Sequence, residues 1–182
     1  MVPASPLLKP LPVKICGLKT EADIAAALDG GAGWVGFMMY GPSPRNVSPQ
    51  LAGALAAPAR GRAAVVAVTV DADDALVDRI MAGLAPDVLQ LHGHESPERA
   101  RALKQRTGAT IIRALRVGTA ADIDAARAFD DAADLMLYDA RPPEGSVLPG
   151  GNGVRFDWSL AAAIPRERDW FLAGGLTPEN VR

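Results

Sequence analysis

The sequence predicts an α/β fold, a (β/α)8 TIM barrel with its eighth β/α unit missing, and three observations carry that prediction. Short β-branched or apolar runs alternate with alanine-rich amphipathic stretches along the whole chain. Such an order gives parallel strands joined by right-handed crossovers. The units recur at roughly 25 residues, the pitch of a barrel that typically takes about 250. Finally, Cys16, Arg45, His92, Asp139 and the pair Gly174-Gly175 fall at or just beyond the C-terminal ends of different runs. In a barrel those ends converge on one mouth, where catalytic groups collect. A doubly wound open sheet shares the periodicity, and the placing of these residues favours the barrel over it.

The first run is Val13–Cys16, and a helix is expected from Glu21 to Asp29 with Thr20 as N-cap and Asp23 three residues on. Run two, Trp34–Met39, leads into a long loop containing Gly41, Pro42, Pro44 and Pro49. Run three, Ala63–Val70, is closed by Asp71 and Asp73 before a helix over Asp74–Ala82. Run four is Val88–His92, and Ser96-Pro97-Glu98 supplies an N-cap and an N1 proline for the helix that follows. Run five is Thr110–Arg116, with Thr119 opening the next helix. Run six, Leu135–Asp139, precedes a glycine-rich loop and the stretch Trp158–Ala163. Run seven is Trp170–Ala173, and Thr177-Pro178-Glu179 reads as another helix start. At Arg182 the seventh helix has barely begun, so one further unit is expected to close the ring. An open barrel would leave two strand edges unpaired, an aggregation hazard.

Composition narrows the function. The 182 residues suit one domain, with 49% hydrophobic and 22% charged residues, ordinary globular values. Nineteen basic residues against 21 acidic ones leave a net charge of -2, so no bulk electrostatic hold on nucleic acid or a membrane surface is expected. Cys16 is the only cysteine, which excludes an internal disulfide and a cysteine metal cluster and favours a reducing compartment. No apolar run reaches the length of a membrane span. Residues 1–12 carry Pro3, Pro6, Pro10 and Pro12 with Lys9 as the lone basic residue, unlike a secretory signal. They read as a flexible cytoplasmic leader, with the barrel over residues 13–182.

Lys14 and Cys16 share one face of run one, so the thiol faces the barrel interior if either does. A thiol there is a base or nucleophile, or else a small buried hydrophobe. Asp139 follows Leu135 and Leu137 on one face, and serves as general acid or base or as a partner for the next loop. Cys16 and Asp139 together fit proton shuffling within one molecule, without net redox change or metal. Gly174 and Gly175 before Thr177 suit a phosphate held by backbone N–H groups, or simply a turn. Gly150-Gly151-Asn152-Gly153 is either a loop over a ligand or a connection. Arg45, in Ser43-Pro44-Arg45-Asn46, offers a fork for a carboxylate or phosphate, or is solvated. Gln90 and His92 share parity and point into the mouth, with His94 beyond them; an inward histidine is also commonly structural. No metal-ligand spacing occurs. Arg99, Arg101, Arg113, Arg116 and Arg127 read mostly as solvated surface.

In order along the chain, Val13-Lys14-Ile15-Cys16-Gly17-Leu18, Val35-Gly36-Phe37 with Ser43-Pro44-Arg45, Val88-Leu89-Gln90-Leu91-His92-Gly93, Leu137-Tyr138-Asp139, Gly150-Gly151-Asn152-Gly153 to Phe156-Asp157-Trp158, and Leu172 to Val181 closely resemble phosphoribosylanthranilate isomerases of tryptophan biosynthesis. The resemblance implies a cofactor-free Amadori rearrangement of N-(5-phosphoribosyl)anthranilate. It implies Asp139 as general acid at the furanose oxygen and Cys16 as general base at C2'. It further implies Arg45 at the anthranilate carboxylate, Gly174 and Gly175 as half of the phosphate grip, and Gln90 and His92 as substrate-binding residues. The expected partner is a small phosphorylated substrate, in a monomer or homodimer. Two departures stand out: the family's Asp-Val-Ser-Ser-Gly type segment on strand eight does not occur before Arg182, and Arg141-Pro142-Pro143 and Leu148-Pro149 alter the loop after Asp139. Sugar-phosphate isomerases of histidine biosynthesis resemble a design with aspartates at both catalytic strand ends, which Cys16 does not match. A non-catalytic phosphate-binding barrel is the remaining alternative.

Overall fold

The computed structural model describes residues 12–141, 145, 157–165 and 168–180. Its strands are β1 (Lys14–Cys16), β2 (Trp34–Met38), β3 (Ala64–Thr69), β4 (Val88–Leu91), β5 (Thr110–Val117), β6 (Leu135–Ala140) and β7 (Trp170–Leu172). They form one sheet in the order β1-β2-β3-β4-β5-β6-β7, every neighbouring pair parallel. Spatial order that follows chain order without reversal is the barrel pattern; a doubly wound sheet reverses at its switch point. The sheet curls into a half-barrel.

The helices are α1 (Glu21–Asp29), α2 (Pro49–Ala56), α3 (Asp74–Gly83), α4 (Pro97–Thr107) and α5 (Ala120–Asp124). Helices α1 to α4 each begin at a short polar side chain that accepts from a backbone N–H otherwise left without a partner, and at α5 Asp122 accepts from Gly118 N–H and Thr119 N–H. Thr20 and Asp23 make a reciprocal capping box at α1, and Asp73 accepts from Leu76 N–H at 2.7 Å at α3. Where the sequence predicts a loop around Pro49, the structure has helix α2. Ser48 accepts from Leu51 N–H at 3.2 Å and Pro49 occupies the first turn, repeating the Ser96-Pro97 signal that opens α4. After α5 the chain tightens into a 3-10 helix over Ala125–Phe129, and another covers Trp158–Ala163. The start expected at Thr177 is a turn among the described residues, with Asn180 N–H donating to Thr177 O at 3.1 Å.

Alternation along the strands sorts side chains onto two faces. Outward residues such as Phe37, Val65, Leu89, Ile111 and Tyr138 pack against the helices together with Ile24, Ile80 and Leu103. Burying each such side chain stabilises the fold by about 1.5–3 kcal/mol. Inward residues Val66, Val68, Val88, Ile112, Ala114 and Leu137 form a separate cluster, against which Cys16, Phe171 and Ala173 pack. This second cluster is the floor beneath the strand ends.

One charged pair is built into the outer layer. Arg113, expected at the surface, has a side chain only 8% exposed, and its Nη1 lies 2.8 Å from Oε2 of Glu95, itself 3% exposed. Glu95 also accepts from Asp71 N–H and Gly93 N–H at 2.9 Å, while Arg113 donates to Leu91 O and Gly93 O and lies over the Phe129 ring at 5.0 Å. The alternation that places Arg113 beside Ile111 on the outer face was the available signal. Removing one partner of a buried, hydrogen-bonded pair strands the other charge. Glu95→Ala is therefore expected to cost about 3–5 kcal/mol in urea unfolding; a loss below about 1 kcal/mol, the range of exposed pairs, would contradict this role.

Candidate active site

The C-terminal ends of the strands carry two groups of polar side chains. The first surrounds β1. Gly17 takes φ +86°, a left-handed conformation that L side chains rarely adopt, and a Cβ there would lie 2.6 Å from Cδ of Arg45. The arginine therefore occupies the space that the glycine leaves. Its Nη1 donates to Cys16 O at 3.2 Å, and its backbone N–H donates to Ser43 Oγ at 3.2 Å. Lys19 Nζ holds the same loop through Pro44 O at 2.9 Å. Cys16 is half-buried, and its side chain packs on the inward cluster that contains Leu137. A thiol and a guanidinium are thus tied to one strand end.

The second group spans β4, β6 and β7. Gln90 is 2% exposed, and its Nε2 lies 2.9 Å from Nδ1 of His92. An amide hydrogen donated to Nδ1 leaves the ring proton on Nε2. That nitrogen is 3.3 Å from Oδ2 of Asp139, within ion-pair reach but without hydrogen-bond alignment, and it is buried with no hydrogen-bond partner among the described residues. Asp139 Oδ1 accepts from Ala140 N–H at 2.9 Å. Gly174, at φ +87°, completes the group: a Cβ there would stand 2.8 Å from Ala140 N and 3.0 Å from Oδ1 of Asp139. Gly175 O accepts from Asn180 Nδ2 at 3.0 Å, which fixes the turn after β7.

The structure thus brings Gln90, His92, Asp139 and Gly174 into one contiguous set and Arg45 onto the backbone of Cys16. Asp139 shares the parity of Leu137, so both sets stand on the inward face at the same end of the sheet. The Gly150–Gly153 loop lies outside the described residues. Arg116 was missed as a site residue. It follows Ile112 and Ala114 on the inward face of β5 and pairs in register with Asp139, so it is not the surface group expected. Its period-two spacing from those apolar residues was the signal. Behind it, burial works against the Asp71 carboxylate, but hydrogen bonds from the His94 backbone and ring and the charge of Arg113 hold its pKa below the ordinary value.

Chemically, a thiol, a carboxyl group and an imidazole beside an arginine fork can move protons and hold an anion. Among the described residues no cluster of three His, Cys, Asp or Glu could hold a metal ion.

Comparisons with known proteins show the family. The model of the family N-(5'-phosphoribosyl)anthranilate (PRA) isomerase matches residues 13–182. The N-(5'-phosphoribosyl)anthranilate isomerase of Caulobacter vibrioides is 53% identical over 169 residues, covering 92% of this chain and 77% of the relative. That of a Chelativorans species is 54% identical over 171 residues, covering 94% and 78%. Among solved structures, the isomerase from Thermus thermophilus superposes with a TM-score of 0.79 at 32% identity, covering 94% of this chain and 80% of that one. An isomerase solved with reduced 1-(o-carboxyphenylamino)-1-deoxyribulose 5-phosphate gives a TM-score of 0.77 at 28% identity, covering 94% and 79%. With its sheet and these likenesses in agreement, the chain belongs to the phosphoribosylanthranilate isomerases of tryptophan biosynthesis.

Proposed function

We propose that the chain isomerises N-(5-phosphoribosyl)anthranilate to 1-(2-carboxyphenylamino)-1-deoxyribulose 5-phosphate with Asp139 as general acid and Cys16 as general base. The observation that carries this reading is the placing of both side chains on the inward face at the C-terminal ends of β6 and β1. The Asp139 carboxyl group gives its proton to the furanose ring oxygen. The C1'–O bond breaks, and the anilino nitrogen lone pair forms the C=N bond of a protonated Schiff base. The Cys16 thiolate then takes the C2' proton, and the C–H electron pair makes the C1'=C2' bond of an enolamine while the nitrogen regains its pair. Proton transfer from the C2' hydroxyl and to C1' gives the ketone. Each proton transfer of this kind contributes typically about 10²–10⁴-fold in rate.

The surrounding groups have matching tasks. His92 stands against Asp139 on the substrate side, and Gln90 fixes its tautomer. Arg45 has Nη1 on Cys16 O, and its remaining guanidinium donors suit the anthranilate carboxylate. Backbone N–H groups at Gly174 and Gly175 suit the phosphate. That a relative is solved with reduced 1-(o-carboxyphenylamino)-1-deoxyribulose 5-phosphate supports a phosphorylated ligand of this kind. We further take residues 1–12 as a leader to the barrel over 13–182 and the protein as cytoplasmic, monomeric or homodimeric; a relative from Thermotoga maritima is dimeric. No described helix is long and apolar enough to cross a membrane.

Cys16→Ala and Asp139→Asn are each expected to lower kcat by about 100-fold or more with circular dichroism unchanged. Near wild-type turnover in either would remove that residue's role. Arg45→Ala should raise KM for the anthranilate-bearing substrate more than it weakens inhibition by inorganic phosphate, and equal weakening would make Arg45 a phosphate contact. Because Arg45 fills the space above Gly17, Gly17→Ala should reproduce the Arg45→Ala defect in a folded protein. Unchanged KM in Gly17→Ala would show that the seat is not needed.

A further inference from the structure

Arg116 lies outside the acid, base and anion-binding roles assigned above, yet it is embedded beside them. Its side chain stands next to Asp139 across the β5–β6 ladder, on the inward face. Nη1 lies 3.0 Å from Nε2 of His94, and Nη2 donates to His92 O at 3.4 Å. An arginine only donates, so Nε2 of His94 must accept, and the His94 ring proton sits on Nδ1. That nitrogen lies 3.1 Å from Oδ2 of Asp71, whose Oδ1 accepts His94 N–H at 2.6 Å. A continuous line thus runs from Asp71 through His94 to Arg116, and from Arg116 to the backbone of His92.

We propose that Arg116 is a positioning residue for proton donation: it clamps the end of β4 so that the His92 ring stays against Asp139. A direct contact with substrate fits less well. Both terminal nitrogens are engaged by the protein, and Nε is buried without a hydrogen-bond partner among the described residues. The clamp assigns a task to His94, whose side chain is 76% exposed. Its ring is the outer anchor of the arginine. Displacing a reacting group by about 1 Å can cost about 100-fold in rate.

The proposal rests on Asp139 as the acid, and a double-mutant cycle separates the two ideas. Arg116→Gln should lower kcat by about 10–100-fold while KM changes less than about threefold. In the Asp139→Asn background the same substitution should add less than about a threefold loss, because the group it positions no longer donates. His94→Ala, at an exposed site safe for folding, should lower kcat by a smaller factor with KM unchanged. His92 is then the one imidazole left in the chain, which has two histidines. Its ring ¹⁵N resonances should shift when Arg116→Gln is added to His94→Ala. A raised KM at constant kcat, an equal loss in the Asp139→Asn background, unaltered turnover in His94→Ala, or unmoved His92 resonances would each overturn the clamp. In all of these Asp139→Asn keeps only its residual turnover. Activity in Asp139→Asn itself would instead sink the acid assignment and take the clamp with it.

Discussion

The parallel ladder is the constraint on which the site depends. Register fixes which residue of one strand stands beside which residue of the next, and period-two alternation fixes the face. Cys16 pairs with Gly36, Val68 with Gln90, Gln90 with Ile112, and Arg116 with Asp139. A slip by one residue in β6 would send Asp139 into the helical layer and bring a neighbour of opposite parity to the mouth. The helices contribute mainly by covering the outward face, so the chemistry is positioned by backbone pairing and only then refined by side chains.

That refinement uses two devices with different energetics. In the outer layer, Glu95 and Arg113 make several hydrogen bonds, and the pair ties the middle of β5 to the segment after β4 and the turn after β3. At the mouth, Gln90 Oε1 and His92 Nε2 are buried without hydrogen-bond partners among the described residues. Unpartnered buried polar atoms cost about 1–3 kcal/mol each. Arg113 Nε in the outer layer is unpartnered as well; the atoms at the mouth fit polar groups kept for a substrate.

Much of this was legible in the sequence. The seven apolar runs correspond to β1–β7, and helix starts at Thr20, Asp73, Ser96 and Thr119 follow from capping chemistry that acts over three or four residues. Helix α2 was obscured because Pro49 was grouped with the prolines of the preceding loop rather than with Ser48 before it. The strand-end positions of Cys16, Arg45, His92 and Asp139 were readable, and so was the shared parity of Gln90 and His92. The 3.3 Å approach of His92 to Asp139 and the seat of Arg45 over Gly17 were not, since both arise between elements distant in sequence. Arg113 and Arg116 show the same limit: composition suggests surface arginines, while their alternation with apolar neighbours places one in each buried layer.

The proposed mechanism grips the sugar between the Cys16 sulfur of the first strand and the Asp139 carboxyl group of the sixth. A crystal structure of this protein with reduced 1-(o-carboxyphenylamino)-1-deoxyribulose 5-phosphate tests that most directly. The account predicts Sγ of Cys16 about 3–3.5 Å from C2' and the Asp139 carboxyl group at similar reach of the former ring oxygen, from the other side of the chain. An analogue bound with either side chain turned away from those atoms, or separated from them by protein, would contradict it.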